Sequence, residues 1–160
     1  MSAVFSPCRQ YRYRLSREFG MGDRTVAFVG VNPSIADEAI NDATIRKMCG
    51  FAMRWGFDRI EVVNLFAWRS TDVRQLARVG DPIGLENDTH IVEVLADASR
   101  TVVCWGNRCK LPACIRPRVV SVRRLVASFG SDICCLGRTK SGDPRHPVRL
   151  SYETQLEPWS

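Results

Sequence analysis

At 160 residues, with 45% apolar and 25% charged side chains, the chain has the size and balance of one globular domain with a single core. No apolar run approaches the 18 residues of a membrane span, and Met1 to Arg9 turns basic without a signal-peptide core, which argues against a membrane and for the cytoplasm. The net charge of +6 rests on 23 basic residues, 20 of them arginine, and suits an acidic partner such as nucleic acid or a nucleotide, although an arginine-rich codon bias explains it equally well.

In chain order, residues 1–24 form a basic, aromatic lead-in, in which Tyr11-Arg12-Tyr13-Arg14-Leu15 alternates as an edge strand does. Thr25 to Val31 reads as a buried strand ending in the turn Gly30-Val31-Asn32-Pro33-Ser34. A polar loop runs to Asn41, and Asn41 or Asp42 caps a helix that carries Ile45, Met48, Cys49 and Ala52 on one face and stops at Gly56. Arg59 to Phe66 is a second strand. Thr71 or Asp72 opens a short helix through Val79, and helical spacing returns from Leu85 to Ala98.

Arg100 to Trp105 is a third strand, ending at Gly106-Asn107. A basic helix bearing Val119, Val122, Leu125 and Val126 follows, then a fourth strand from Asp132 to Leu136. The tail, 137–160, is irregular and marked by Pro144, Pro147 and Pro158. Seven cysteines without a C-x-x-C pair read as reduced thiols, three of them (Cys104, Cys134, Cys135) inside strands, so no metal or other cofactor is expected.

Strands alternating with helices predict a single α/β domain: a three-layer α/β/α sandwich around a four-stranded, mainly parallel sheet, with 25–136 as its core. In such sheets ligands bind beyond the strand C-termini. Each strand end here delivers an amide, an aromatic or a basic group to that edge: Asn32, Pro33 and Ser34 after strand one, Asn64 and Phe66 after strand two. Trp105, Gly106 and Asn107 follow strand three, and the tail brings Lys140 and His146-Pro147-Val148-Arg149-Leu150-Ser151. Taken singly, each has a local explanation: Asn32 as a turn residue, Asp42 as a helix cap, the aromatics as packing. Their convergence on one edge is the stronger signal.

The segments Asn32-Pro33-Ser34-Ile35-Ala36-Asp37, Asn41-Asp42-Ala43-Thr44-Ile45-Arg46, Val63-Asn64-Leu65-Phe66-Ala67 and Arg145-His146-Pro147 resemble the bacterial and phage family of uncharacterised proteins known as domain of unknown function 1643. The order Gly-Val-Asn-Pro-Ser, Val-Val-Asn, Val-Cys-Trp-Gly, His-Pro-Val-Arg-Leu-Ser is also similar, more distantly, to the uracil-DNA glycosylase superfamily. That resemblance implies hydrolysis of an N-glycosidic bond of a damaged or modified base in nucleic acid, DNA before RNA, by a monomer.

It places Asn32 where water is positioned, Asn64 where the base edge is read, and Gly30, Pro33, Ser34, Gly106 and Asn107 around the base. Phe66 or Trp105 would stack on it, and His146 would stabilise the departing base. Leu150 falls where an apolar side chain wedges into a duplex, beside Lys140, Arg145, Arg149 and Ser151 for the backbone. The usual carboxylate is absent at position 32; Asp37, Glu38 or Asp42 would replace it, Asp42 first. A silent nucleic-acid or nucleotide-binding module, or a hydrolase of free nucleosides or nucleotides, fits the same residues.

Overall fold

A strand made of Val26-Ala27-Phe28-Val29 is apolar on both faces and has to be covered on both. In the computed structural model, which describes residues 1–130 and 132–160, this segment is β3 (Thr25–Gly30), buried throughout. Ser131, within the predicted core segment, lies outside the described residues. Around β3 are β4 (Arg59–Asn64), β5 (Arg100–Val103) and β6 (Ile133–Cys135), the segments expected as strands, and these four pair in parallel.

The sheet nevertheless has seven strands, not four, and is mixed. β1 (Ser2–Phe5), β2 (Arg12–Glu18) and β7 (Glu157–Pro158) complete the order β1-β2-β4-β3-β5-β6-β7, with β1 antiparallel to β2, β2 to β4 and β7 to β6. β2 was expected at an edge; β1 folds back over it and puts it inside the sheet, where Tyr13 and Leu15 are buried. The first 24 residues therefore contribute two strands to the sheet and, through Tyr13 and Leu15, part of the core. Strands as short as β1 and β7, of four and two residues, form because a neighbouring strand's backbone supplies their bonds.

The crossovers are α1 (Ala43–Arg54), α2 (Asn87–Asp97) and α3 (Pro117–Ala127). Side chains alternate along a strand, so successive residues serve opposite cores. Val26, Phe28, Ile60, Val62 and Val102 pack with Ile45, Met48, Phe51 and Ala52 of α1. On the other face Ala27, Val29, Val63 and Val103 pack with Ile91, Val94, Val119 and Val122 of α2 and α3. The expected short helix after Asp72 is a 3-10 turn, Val73–Arg78, and the tail adds another at Pro147–Arg149.

This winding fixes where a ligand can enter. From β3 the chain crosses by α1 to β4 on one side, then returns by α2 past β3 to β5 on the other. Beyond their C-termini, β3 and β5 therefore send the chain in opposite directions and leave a crevice between them. Among the described residues no helix is long and apolar enough to cross a membrane.

Candidate functional site

Parallel register sets Gly30 beside Asn64 at the ends of β3 and β4. A Cβ at position 30 would lie 2.7 Å from Asn64 Oδ1, so only glycine leaves room for that carboxamide. Asn64 is 4% exposed, and its Nδ2 has no hydrogen-bond partner among the described residues. The strand end beneath it is firmly held: Asn87 Nδ2 donates to the carbonyls of Asn64 (3.1 Å) and Leu65 (3.2 Å), and Arg118 Nε donates to the latter at 2.8 Å. A fixed, unpartnered donor in a buried position is costly unless something else satisfies it.

Asn32 is fixed differently. Its Nδ2 donates to the carbonyls of Ser70 (2.7 Å) and Pro33 (3.0 Å), while Ser70 N donates to Pro33 O at 2.9 Å. The turn reading of Asn32 is thus correct for its nitrogen. Its Oδ1 makes no hydrogen bond among the described residues and is the atom left to accept one. Of the three candidate carboxylates, Asp37 accepts from Ala39 N and Ile40 N in a local turn, and Glu38 pairs with Arg9 at 3.1 Å on the surface. Asp42 alone reaches the crevice. It caps α1, Oδ1 accepting from Ile45 N at 2.9 Å, which leaves its second oxygen open.

His146 comes from the far end of the chain. Buried Asp143 staples its loop to the turn after β5, accepting from Arg108 N and Ser141 Oγ, both at 3.1 Å, and Arg145 N donates to Gly137 O. His146 Nδ1 accepts from Val148 N over a long 3.4 Å, which leaves Nε2 as the protonated nitrogen of the neutral ring. Burial pushes its pKa below the usual histidine value, Asp42 opposing and Lys110 reinforcing the shift. At neutral pH it is an uncharged donor. Gly106, at φ +80°, passes close beneath its Cβ.

Gly30, Asn32, Ser34, Asp42, Asn64 and His146 line one cavity of about 50 Å³. His146 and Val31 also border a wider groove of about 490 Å³, lined by Trp105, Gly106, Asn107, Lys110, Arg145 and Arg149. Pocket and groove therefore meet at His146. This chain belongs to the family described as Protein of unknown function (DUF1643), whose model matches residues 12–148. No curated protein and no solved structure matches the chain. The DUF1643 span opens on Arg12 and closes just after His146, so it encloses the whole cavity.

Several expected residues of the DUF1643 chain are placed differently from expectation, although Trp105 and Leu150 still border the groove. Phe66 is sealed in the core and borders neither space. Pro33 is buried behind the turn, its carbonyl engaged by Ser70 N and Asn32 Nδ2. Trp105 borders the groove and lies edge-on to Trp159 at 5.8 Å in the core, its buried Nε1 without a partner among the described residues. Leu150 is 6% exposed and packs with the α1 core, so it does not protrude as a wedge has to; Val148 is the exposed apolar side chain of that loop. Lys140 and Ser151 are exposed and outside the groove, Ser151 Oγ closing a local turn with Glu153 N.

Several lining residues escaped the sequence reading, among them Thr44 on the cavity, Lys110 on the groove and, most deeply buried of the charged ones, Arg12. Arg12 is 2% exposed on the same cavity, with Nη1 donating to Ala36 O at 2.6 Å and Nε without a partner. Burial pulls its pKa down to about 10, so it stays charged at neutral pH. It arrives because β2 runs antiparallel to β4, which brings the start of β2 to the C-terminal edge of the parallel strands. The alternating Tyr-Arg-Tyr-Arg pattern gave no sign of it, since arginines in an edge strand are expected in solvent. Among the described residues no three His, Cys, Asp or Glu side chains cluster as metal ligands do.

Proposed function

We propose that this DUF1643 chain hydrolyses the N-glycosidic bond of a modified base in nucleic acid, on a uracil-DNA-glycosylase-like α/β/α scaffold. The observation that carries the reading is the cavity itself. An orphan amide donor on Asn64, a neutral imidazole donor on His146 and an open carboxylate oxygen on Asp42 face one small space beside a groove bearing Lys110, Arg145 and Arg149. A planar base edge suits the small space, and a sugar-phosphate chain suits the groove.

In the proposed reaction the base enters the cavity and Asn64 Nδ2 donates to an acceptor on its edge. As the bond from C1′ to the base nitrogen breaks, its electron pair stays on the base, and His146 Nε2–H stabilises the charge that develops there. The sugar becomes oxocarbenium-like. A water held by Asn32 Oδ1 and Asp42 attacks C1′, and its proton passes to the Asp42 carboxylate. Asn32 orients only, because a carboxamide does not titrate near neutrality.

The buried position of Leu150 favours a second reading, hydrolysis of free nucleosides or nucleotides, for which no wedge is needed. A panel of labelled single- and double-stranded oligonucleotides, each with one altered base, followed by alkaline cleavage at abasic sites, tests both. Scission that disappears in His146→Ala supports the first reading. Release of base from mononucleotides alone supports the second, and no release from either class overturns both.

A further inference from the structure

The reaction above makes no use of Arg12, yet the fold devotes a buried charge to that cavity. No carboxylate among the described residues lies within 4.0 Å of its guanidinium, although Arg14, Arg59, Arg74, Arg100 and Arg118 each pair with one. One nitrogen is bonded to a neutral carbonyl, and Nε has no partner among the described residues. Around it, Asp42 and Asp37 oppose the positive potential, while Arg69 and Arg17 add to it. Arg17 is equally buried but bonded on every side, to Asn41 Oδ1 at 2.6 Å and to the carbonyls of Ser2, Ser16, Asp37 and Ile40. Loop anchoring is thus accomplished by Arg17, and it does not explain why Arg12 is left incomplete.

A buried cation without a countercharge is unfavourable, and removing the partner of a buried charge is among the most destabilising changes known. Arg12 is completed if the missing partner comes with the ligand. The second orphan donor on the same cavity, Asn64 Nδ2, asks for the same thing: an acceptor. The one carboxylate on the cavity wall, Asp42, is held at the N-terminus of α1, where the helix amides stabilise its charge.

We propose that the cavity is built for the anionic, deprotonated form of a heterocyclic base, with Arg12 supplying the countercharge and Asn64 a fixed donor. In its account of the leaving group this rests on the glycosidase reading. When the C1′–N bond breaks, both electrons remain on the base nitrogen. The base is neutral while attached and an anion once detached, so Arg12 interacts more strongly with the product-like state than with the ground state. That difference is what accelerates a reaction. The anion then takes, through solvent, the proton that Asp42 received from the attacking water, which returns Asp42 to its carboxylate form, and the hydroxyl oxygen of that water ends on C1′. Bases with an acidic ring N–H leave more readily from such a site than bases without one.

The test uses the intact chain and free 5-nitrouracil, whose neutral and anionic forms differ in absorbance. The bound probe is titrated with alkali in wild type, Arg12→Gln and Arg12→Lys. The expected result is a bound probe that ionises at least about one pH unit lower than the free one, a tenfold preference for the anion. That shift disappears in Arg12→Gln and persists in Arg12→Lys. Circular dichroism and thermal melting establish whether Arg12→Gln is folded. If it is not, Asn64→Asp, which adds a negative charge at nearly unchanged shape, abolishes the anion preference and carries the test.

The proposal is overturned if wild type fails to bind the probe, if it binds the neutral form as tightly as the anion, or if a folded Arg12→Gln keeps the preference. The oligonucleotide panel separates the two ideas. Anion preference without base release keeps this inference and removes the glycosidase. Base release with an unshifted probe does the reverse.

Discussion

A methyl group at position 30 would collide with Asn64 Oδ1 at 2.7 Å, and that single contact separates ligand binding from folding. Gly30→Ala forces the carboxamide to swing away from its place, at a cost of about 1–3 kcal/mol for overpacking. The expected variant is folded, with a lowered melting temperature, and no longer binds a base. A variant that binds as well as wild type would remove Asn64 from the site. His146 permits a pH prediction. Its folded pKa lies below the unfolded value of 6.5, so between the two the unfolded chain holds a proton that the folded one lacks. Stability is then full above about pH 6.5 and declines on acidification through the interval down to the folded pKa. Melting curves from neutral to mildly acid pH are expected to show this decline, and a smaller one in His146→Asn. An equal decline in both sinks the assignment of that titration to His146.

At the scale of elements, Asp42 serves two ends that substitution can pull apart. As the cap of α1 it satisfies Ile45 N; as an open carboxylate on the cavity it is the proposed proton acceptor. Asparagine caps a helix as well as aspartate does, whereas alanine costs about 1 kcal/mol. Asp42→Asn is therefore expected to melt close to wild type and lose base release, and Asp42→Ala to lose both. If Asp42→Asn retains release, the carboxylate is not the acceptor. The cap and the spacing of α1 were legible in the sequence because a cap and an apolar stripe are local properties. So were β3 to β6, whose clustered apolar residues mark strands, most plainly in β3, which is buried throughout. β2 showed itself as a strand by its alternation, but its place inside the sheet did not show, and β1 and β7 were not legible, because antiparallel pairing at the flanks of a sheet is decided by a distant partner. Arg12 went unseen for that reason: its alternating neighbours describe a strand, but only pairing with β4 puts it at the cavity. Leu150 and Phe66 misled for the opposite reason, since motif position carries no measure of depth.

Across the whole molecule, the winding that reverses between β3 and β5 opens the crevice, and a tail stapled by Asp143 closes one side of it. The convergence of strand ends was readable from the order of elements; the division into a tight cavity and an open groove was not, because volume depends on packing. The groove presents Lys110, Arg145 and Arg149 together, whereas Lys140 stands exposed outside it. If phosphates lie along the groove, each cation that contacts one releases counterions on binding, and affinity falls with salt accordingly. Removing one such contact lowers the slope of log affinity against log salt by about 1 and weakens binding to every sequence alike. Arg145→Ala and Arg149→Ala are each expected to do so on a single-stranded oligonucleotide, and Lys140→Ala to change the slope less. Free nucleotides carry too few charges for a slope of that size. A wild-type slope near that of a single contact, unchanged in all three variants, would assign the groove to a mononucleotide rather than a strand, and with it the reaction to the free-nucleotide reading that the buried Leu150 already favours.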